Sequence, residues 1–242
     1  MIKLSIIIPC YNEENNIPIL ADKLHKSYLP GCEIILVDNG STDDTLVVLP
    51  KALESVNNAF IRSIRLENNI GYGHGIMAGI SEAKGKIIAW THADLQTDIK
   101  DVYEGYKMFE SQSNQKEVFL MGIRKKRPFI DRVLTLGMSI IASMFLRKRF
   151  YDINAQPKMF HRSFLKLTKN IPDDFSLDLY FYYIALKNGI SILKLPVYFK
   201  NRLYDEAKGG GGSTIWTRIK MIRRTLSYIL KLSNQRFQSA SF

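Results

Sequence analysis

The first hundred residues alternate between two periodicities, and few folds accept that pattern. Residues 3–9 read KLSIIIP, a near-continuous apolar run of the kind a strand buried on both faces requires. Residues 33–37 and 87–90 repeat the signature, and residues 60–66 read as a further strand. Between the first two runs Ile17, Leu20, Ala21 and Leu24 share one face of a helix ending between His25 and Tyr28. A second helix follows Thr45 toward Ser55, and a third runs from about Gly75 to Ala83. Strand alternating with helix predicts an α/β fold with a doubly wound, mostly parallel sheet flanked by helices. Pro9 is expected to end the first strand, because proline has no N–H to give a ladder.

Ligands of such sheets bind at the carboxyl ends of the strands. Polar clusters stand at three of those ends: Tyr11-Asn12-Glu13-Glu14, the stretch from Asp38 to Thr45, and Thr91-His92-Ala93-Asp94-Leu95-Gln96. In extended chain alternate residues point the same way. His92, Asp94 and Gln96 would then converge on one point, as a divalent cation holding a phosphate requires. The competing reading is a polar strand end facing water. A shared crevice with Asp38 and Glu13 favours the cation.

Charge narrows the partners. The 242-residue chain carries 34 Lys+Arg against 23 Asp+Glu, a net of +11, which suits nucleic acid, anionic lipid headgroups or phosphorylated substrates. Basic residues cluster after residue 120 without aromatics interleaved in a recognisable RNA-binding motif, so no nucleic acid partner is expected, and a nucleotide- or nucleic-acid-binding module stands as the non-enzymatic alternative. Cys10 and Cys32 lack metal-ligand spacing and read as buried, reduced thiols. Met1-Ile2-Lys3 leads directly into the first strand, so no secretory signal is expected. Val133–Leu146 is the longest lipid-like run and reads as too short to cross a bilayer; any membrane contact is expected to be peripheral.

Beyond residue 98 a helix from about Ile99 to Ser111 precedes a strand over Glu117–Ile123, ending in the basic cluster Arg124-Lys125-Lys126-Arg127. Residues 129–150 place an apolar middle between Arg132 and Arg147-Lys148-Arg149, which is either an ordinary core helix or a helix lying in a membrane interface. Asp173, Asp174 and Asp178 stand at the start of a helix continuing to Lys187, with Gly189 as its stop. A last strand covers Ile192–Phe199. Gly209–Gly212 read as a mobile flap. From Ser213 the tail is helical, with Ile215, Ile219, Ile222, Leu226 and Ile229 in a stripe and Arg218, Lys220, Arg223, Arg224 and Lys231 on other faces. That tail is either packed on the sheet or a basic interfacial anchor.

Four segments occur in order: Ile6-Ile7-Ile8-Pro9-Cys10-Tyr11-Asn12-Glu13-Glu14, Val37-Asp38-Asn39-Gly40-Ser41-Thr42-Asp43-Asp44-Thr45, Asn69-Ile70-Gly71-Tyr72-Gly73 and Ala93-Asp94-Leu95-Gln96. Together they resemble the family 2 inverting glycosyltransferases of GT-A fold, particularly the dolichyl- or polyprenyl-phosphate sugar transferase branch. The resemblance implies a GT-A domain over residues 1–208, then a Gly-rich flap and basic amphipathic helix over 209–242. It implies a nucleotide-diphosphate sugar as donor, held by Pro9, Tyr11, Glu13, Asp38 and His92, with Arg202 and Lys208 meeting the diphosphate. Plainer roles for Glu13 and Asp38 are a carboxylate at a helix start and a turn residue. Gly71 and Gly73 are expected to serve backbone geometry. The metal position falls on His92, Asp94 and Gln96, where the family's first acid is His92; Asp94 is the leading ligand for Mn²⁺ or Mg²⁺, then Gln96, then His92. With a single acid, metal binding is expected to be weak until donor is present. Arg124 matches the arginine that holds an acceptor phosphate, with Arg132 second. Asp178 is closest to a catalytic carboxylate, needed if the acceptor is a sugar hydroxyl and superfluous if it is a lipid phosphate. Gln156-Pro157 replaces a small-residue turn beside the donor sugar. The expected location is cytoplasmic, peripheral at the inner face of the plasma membrane.

Overall fold

A computed structural model of the chain describes residues 1–199 and 215–239, and in the last helix the side chains of 219–234. The expected domain boundary at residue 208, the Gly209–Gly212 flap, and Arg202 and Lys208 lie outside the described residues, as does the side chain of Arg218.

Seven strands and seven α-helices are described: β1 Leu4–Cys10, α1 Ile17–Lys26, β2 Cys32–Asn39, α2 Thr45–Val56, β3 Ile61–Leu66, α3 Tyr72–Glu82, β4 Ile87–Trp90, α4 Ile99–Glu110, β5 Val118–Lys125, α5 Phe129–Leu146, β6 Lys158–His161, α6 Leu177–Lys187, β7 Ser191–Tyr198 and α7 Ile215–Ser239. The sheet order is β3-β2-β1-β4-β6-β5-β7. β6 runs antiparallel to both β4 and β5, and the other pairings are parallel. The order reverses between β1 and β4, so a crevice opens at their carboxyl ends.

Local sequence explains most of this. Ile6, Ile7 and Ile8 are fully buried, as are Ile34, Ile35 and Leu36 beside them, because helices cover both faces of the parallel strands. α4 begins at a capping box in which Asp98 and Asp101 each accept a backbone N–H. β1 continues through Pro9, opposite Val37, to Cys10, which corrects the expected stop. Ile7 O accepts from Thr91 N, so odd-numbered β1 residues face β4, and β4 has ended by Pro9. A missing N–H there leaves no ladder bond unmade.

α3 starts three residues before the expected Gly75, and Gly71 and Gly73 at its start have a packing role. A Cβ on Gly71 would stand 2.3 Å from Asp173 O, and one on Gly73 would stand 2.3 Å from Pro172 O. Their bareness lets the loop before α6 lie on the start of α3, where His74 N donates to Asp173 O at 2.9 Å. Cys10 and Cys32 are free and buried, as expected.

α5 answers the question left open over residues 129–150. Only Ser139, Ala142 and Leu146 are buried in it, while Phe129 (77%), Met144 (69%) and Leu136 (58%) are exposed. It is not a core helix. The run is also longer than expected: 18 residues with mean hydropathy 1.6 make it long and apolar enough, by those measures, to cross a membrane. Its buried side meets α7, whose Ile229 and Leu232 are buried and whose Ser233 Oγ donates to Phe145 O at 3.3 Å.

Candidate active site

The loops after β1 and β2 are laced together. Asn12 N donates to Ser41 Oγ at 3.0 Å, Thr42 N to Asn12 Oδ1 at 2.8 Å, and Glu13 N to Thr45 Oγ1 at 2.9 Å. Pro9 lies on β1 and Tyr11 directly after it, beside this seam. Asp38, next to last on β2, is buried and accepts from Ser41 N at 2.9 Å and from Arg65 Nη1 at 2.7 Å. Glu13 accepts from Asn16 Nδ2 at 2.6 Å. Both carboxylates close on the end of β1: burial first, then the charges of Glu13 and Asp38, push the Cys10 thiol well up. Arg65, on the neighbouring strand, is a member of this cluster that no motif announced.

β4 stops at Trp90, and the loop after it is bent. Leu95 sits at φ 59°, and Asp94 Oδ1 turns back to accept from Gln96 N at 3.1 Å, an Asx-type turn. Thr91 and Thr97 hydroxyls close its base at 3.0 Å. The extended chain that was to aim His92, Asp94 and Gln96 at one point is therefore absent; tight turn chemistry replaced it. His92 faces the Tyr72 ring, centroids 6.0 Å apart. Among the described residues no three His, Cys, Asp or Glu side chains form a metal-holding group. One buried carboxylate, Asp94, with the neutral donors His92 and Gln96, suits a cation that takes its other ligands from a diphosphate rather than a cage made by protein alone.

Behind this loop is a buried polar network. Asp178, on the first turn of α6 and 2% exposed, accepts from Trp90 Nε1 at 3.1 Å. Gln156 Nε2 reaches both its oxygens, at 3.0 and 3.1 Å, and lies 3.1 Å from Tyr72 Oη. Tyr72 stacks on Phe175 at 4.5 Å with rings nearly parallel. Lys158, paired opposite Trp90 on β6, donates to the carbonyls of Ile153 and Ala155 at 2.6 and 2.9 Å. Burial lowers its pKa to about 8 against the raising charges of Asp178 and Asp152.

Residues 5–164 match the family described as Glycosyl transferase family 2. The chain belongs to that family. Dodecaprenyl-phosphate galacturonate synthase of Rhizobium johnstonii is 30% identical over 175 residues, 69% of this chain and 50% of the relative. Dolichyl-phosphate beta-glucosyltransferase of Dictyostelium discoideum is 27% identical over 216 residues, 81% of this chain and 66% of the relative. The chain thus spans about half to two thirds of the length of these relatives. Among solved structures, glucosyl-3-phosphoglycerate synthase of Mycobacterium tuberculosis, in complex with Mn²⁺, uridine diphosphate and glucosyl-3-phosphoglycerate, superposes with a TM-score of 0.72 at 13% identity, covering 96% of this chain and 79% of that one. The fold is GT-A, as the motifs of this family 2 chain implied.

Arg124 stands apart from the crevice residues, at the end of β5. Asp152 accepts from its backbone N at 2.8 Å and its Nε at 2.9 Å, and also pairs with Nη2. Burial raises the Asp152 carboxyl, but hydrogen bonds and charge from Arg124 outweigh it and hold the group below its ordinary value. Beyond this pair is a cleft of about 190 Å³ lined by Arg124, Arg127, Arg132, Thr135 and Ser139, at the foot of α5's exposed apolar face. Arg127 Nη1 donates to Thr135 Oγ1 at 2.8 Å. The basic cluster was visible in sequence; Asp152, Thr135 and Ser139, brought in from other elements, were not.

Proposed function

We propose that the chain transfers a sugar from a nucleotide-diphosphate sugar to a polyprenyl phosphate, with inversion, at the cytoplasmic face of a membrane. The observation that carries this reading is the three-arginine cleft at the foot of an exposed apolar helix. Guanidinium groups suit phosphate geometry, and the apolar residues of α5 give a lipid tail somewhere to go. Lys125 and Lys126 at one end of α5, and Arg147, Lys148 and Arg149 at the other, are exposed and sit where headgroups would meet a helix lying in the interface. α5 packs along one side on α7, which favours lying over crossing. The names of the relatives, lipid-phosphate sugar transferases, agree.

In this scheme Pro9, Tyr11, Glu13 and Asp38 hold the nucleoside, and Asp38 does so with Arg65 already paired to it. Asp94, Gln96 and His92 hold a divalent cation together with the diphosphate; bound Mn²⁺ in the mycobacterial structure supports that choice. When bound, such an ion neutralises charge on the leaving nucleoside diphosphate. Arg202 and Lys208 are assigned to the same diphosphate. Arg124, fixed by Asp152, orients the acceptor phosphate so that one oxygen attacks the anomeric carbon. The new carbon–oxygen bond forms as the bond to the diphosphate breaks, and no base is required. Asp178 is assigned to positioning, since Trp90 and Gln156 already donate to its carboxylate.

Arg132 is exposed and lines the cleft, so its replacement leaves the fold intact. Arg132→Ala is expected to raise the KM for polyprenyl phosphate about 10- to 100-fold, the equivalent of roughly 1.5–3 kcal/mol for a charged hydrogen bond, with donor affinity unchanged. An unchanged acceptor KM contradicts this use of the cleft.

A further inference from the structure

Lys158 places an ammonium group in the middle of the sheet. On β6 it stands opposite Trp90 of β4 and Met121 of β5, and it is 0% exposed. Its hydrogen bonds go to two neutral carbonyls, Ile153 O at 2.6 Å and Ala155 O at 2.9 Å, rather than to a carboxylate. A buried charge without a hydrogen-bonded opposite charge is costly to keep, and an apolar side chain of similar length would fill the space without that cost. What the ammonium adds is its hold on the two carbonyls.

Both carbonyls belong to the turn between Asp152 and Gln156. Asp152 opens that turn at φ 39°, a left-handed backbone that a residue other than glycine keeps only where its surroundings hold it. Its carbonyl accepts from Ala155 N at 2.9 Å, and its carboxylate takes the backbone N, Nε and Nη2 of Arg124. The turn lies directly on β5: Gly122 N donates to Pro157 O at 2.8 Å, and a Cβ on Gly122 would collide with Gln156 O. A run of contacts thus leads from the middle of the sheet through Lys158, the turn and Asp152 to Arg124, which lines the arginine cleft.

We infer that Lys158 is a positioning residue for the acceptor: by holding the carbonyls of Ile153 and Ala155 it fixes Asp152, and through Asp152 it sets the direction of the Arg124 guanidinium in the cleft. This rests on the acceptor reading of the cleft. Sealed from solvent, Lys158 touches no substrate and acts only through Arg124.

Lys158→Met removes both hydrogen bonds and nearly keeps the length of the side chain. In this variant kcat/KM for polyprenyl phosphate is expected to fall about 10- to 100-fold, the scale of a roughly 1 Å misplacement. Calorimetric affinity for UDP and GDP in Mn²⁺ is expected to stay within about 2-fold, since the crevice shares no partner with the turn. In an Arg124→Ala background the same substitution is expected to cost about 3-fold or less, because residues of one network do not add. No fall in the wild-type background, equal falls in both backgrounds, or a parallel loss of donor affinity overturns the proposal. Amide hydrogen exchange reads the link without any substrate. The Arg124 N–H, held by Asp152, is expected to exchange about 10-fold faster in Lys158→Met while the amides of β1 and β2 hold; an unchanged Arg124 amide overturns the proposal. If Lys158→Met does not fold, Lys158→Gln, whose shorter side chain falls short of both carbonyls, is measured in the same way with the same outcomes. Faster exchange at Arg124 in a protein whose wild type forms no lipid-linked product overturns the acceptor reading and leaves the link from Lys158 to Arg124 standing.

Discussion

Asp178 distinguishes two acceptor chemistries that share one donor. Its carboxylate lies under Trp90 Nε1 and the Gln156 amide, which leaves poor geometry for taking a proton from a sugar hydroxyl. Asp178→Asn is therefore expected to retain transfer within about 10-fold, whereas loss of a true general base costs about 100- to 10,000-fold; steady-state rates decide it. Asp152 gives a second residue-scale prediction. Its folded pKa lies below the ordinary 3.8, so the stabilisation is present above that value and is lost as pH falls below it. Urea unfolding between pH 6 and 3 should show an acid-linked loss that Asp152→Asn lacks. That variant should already be less stable by about 3 kcal/mol at neutral pH, because it strands Arg124 in a site with little solvent. Lys158 runs the other way: with a folded pKa of about 8 against 10.5 unfolded, its burial costs stability below pH 8 and costs less as pH rises through that window.

At the scale of elements, α5 and the loop after β4 show where sequence pattern was ambiguous. The strands from β1 to β4 were legible because buried parallel strands leave continuous apolar runs, and α1 because its apolar residues keep one face. α5 is apolar on nearly every side, so periodicity carried no information about which side the protein covers; packing by α7 decides that. The loop from Thr91 to Thr97 misled for a different reason. Period-two reasoning needs extended backbone, and an Asx-type turn at Asp94 with Leu95 left-handed removes it. Asp38's partner Arg65 and Arg124's partner Asp152 come from separate strands and loops, and no local pattern encodes such pairings. A prediction belongs to α5 itself: Leu136→Glu with Met144→Glu, both on exposed positions, should reduce co-sedimentation with anionic phospholipid vesicles several-fold, with thermal stability unchanged. Undiminished vesicle binding contradicts an interfacial α5.

Over the whole molecule, the switch between β1 and β4 sets a crevice on one side, proposed above as the nucleotide site, while β5, α5 and the turn at Asp152 set an arginine cleft on the other. The buried network of Trp90, Gln156, Asp178 and Tyr72 stands between them, and α7 touches it from outside: Arg224 lies over Phe175 at 5.1 Å and 3.6 Å from Asp174. In the proposed scheme donor and acceptor phosphates are held by separate groups of one α/β frame, as an in-line displacement requires. The most direct measurement is product formation. Purified protein is incubated with Mn²⁺, a series of UDP- and GDP-sugars and a polyprenyl phosphate, and the lipid fraction is read by mass spectrometry. The expected result is a polyprenyl phosphate carrying one sugar from at least one donor; a donor that is bound while no lipid-linked product forms with any sugar would contradict the account.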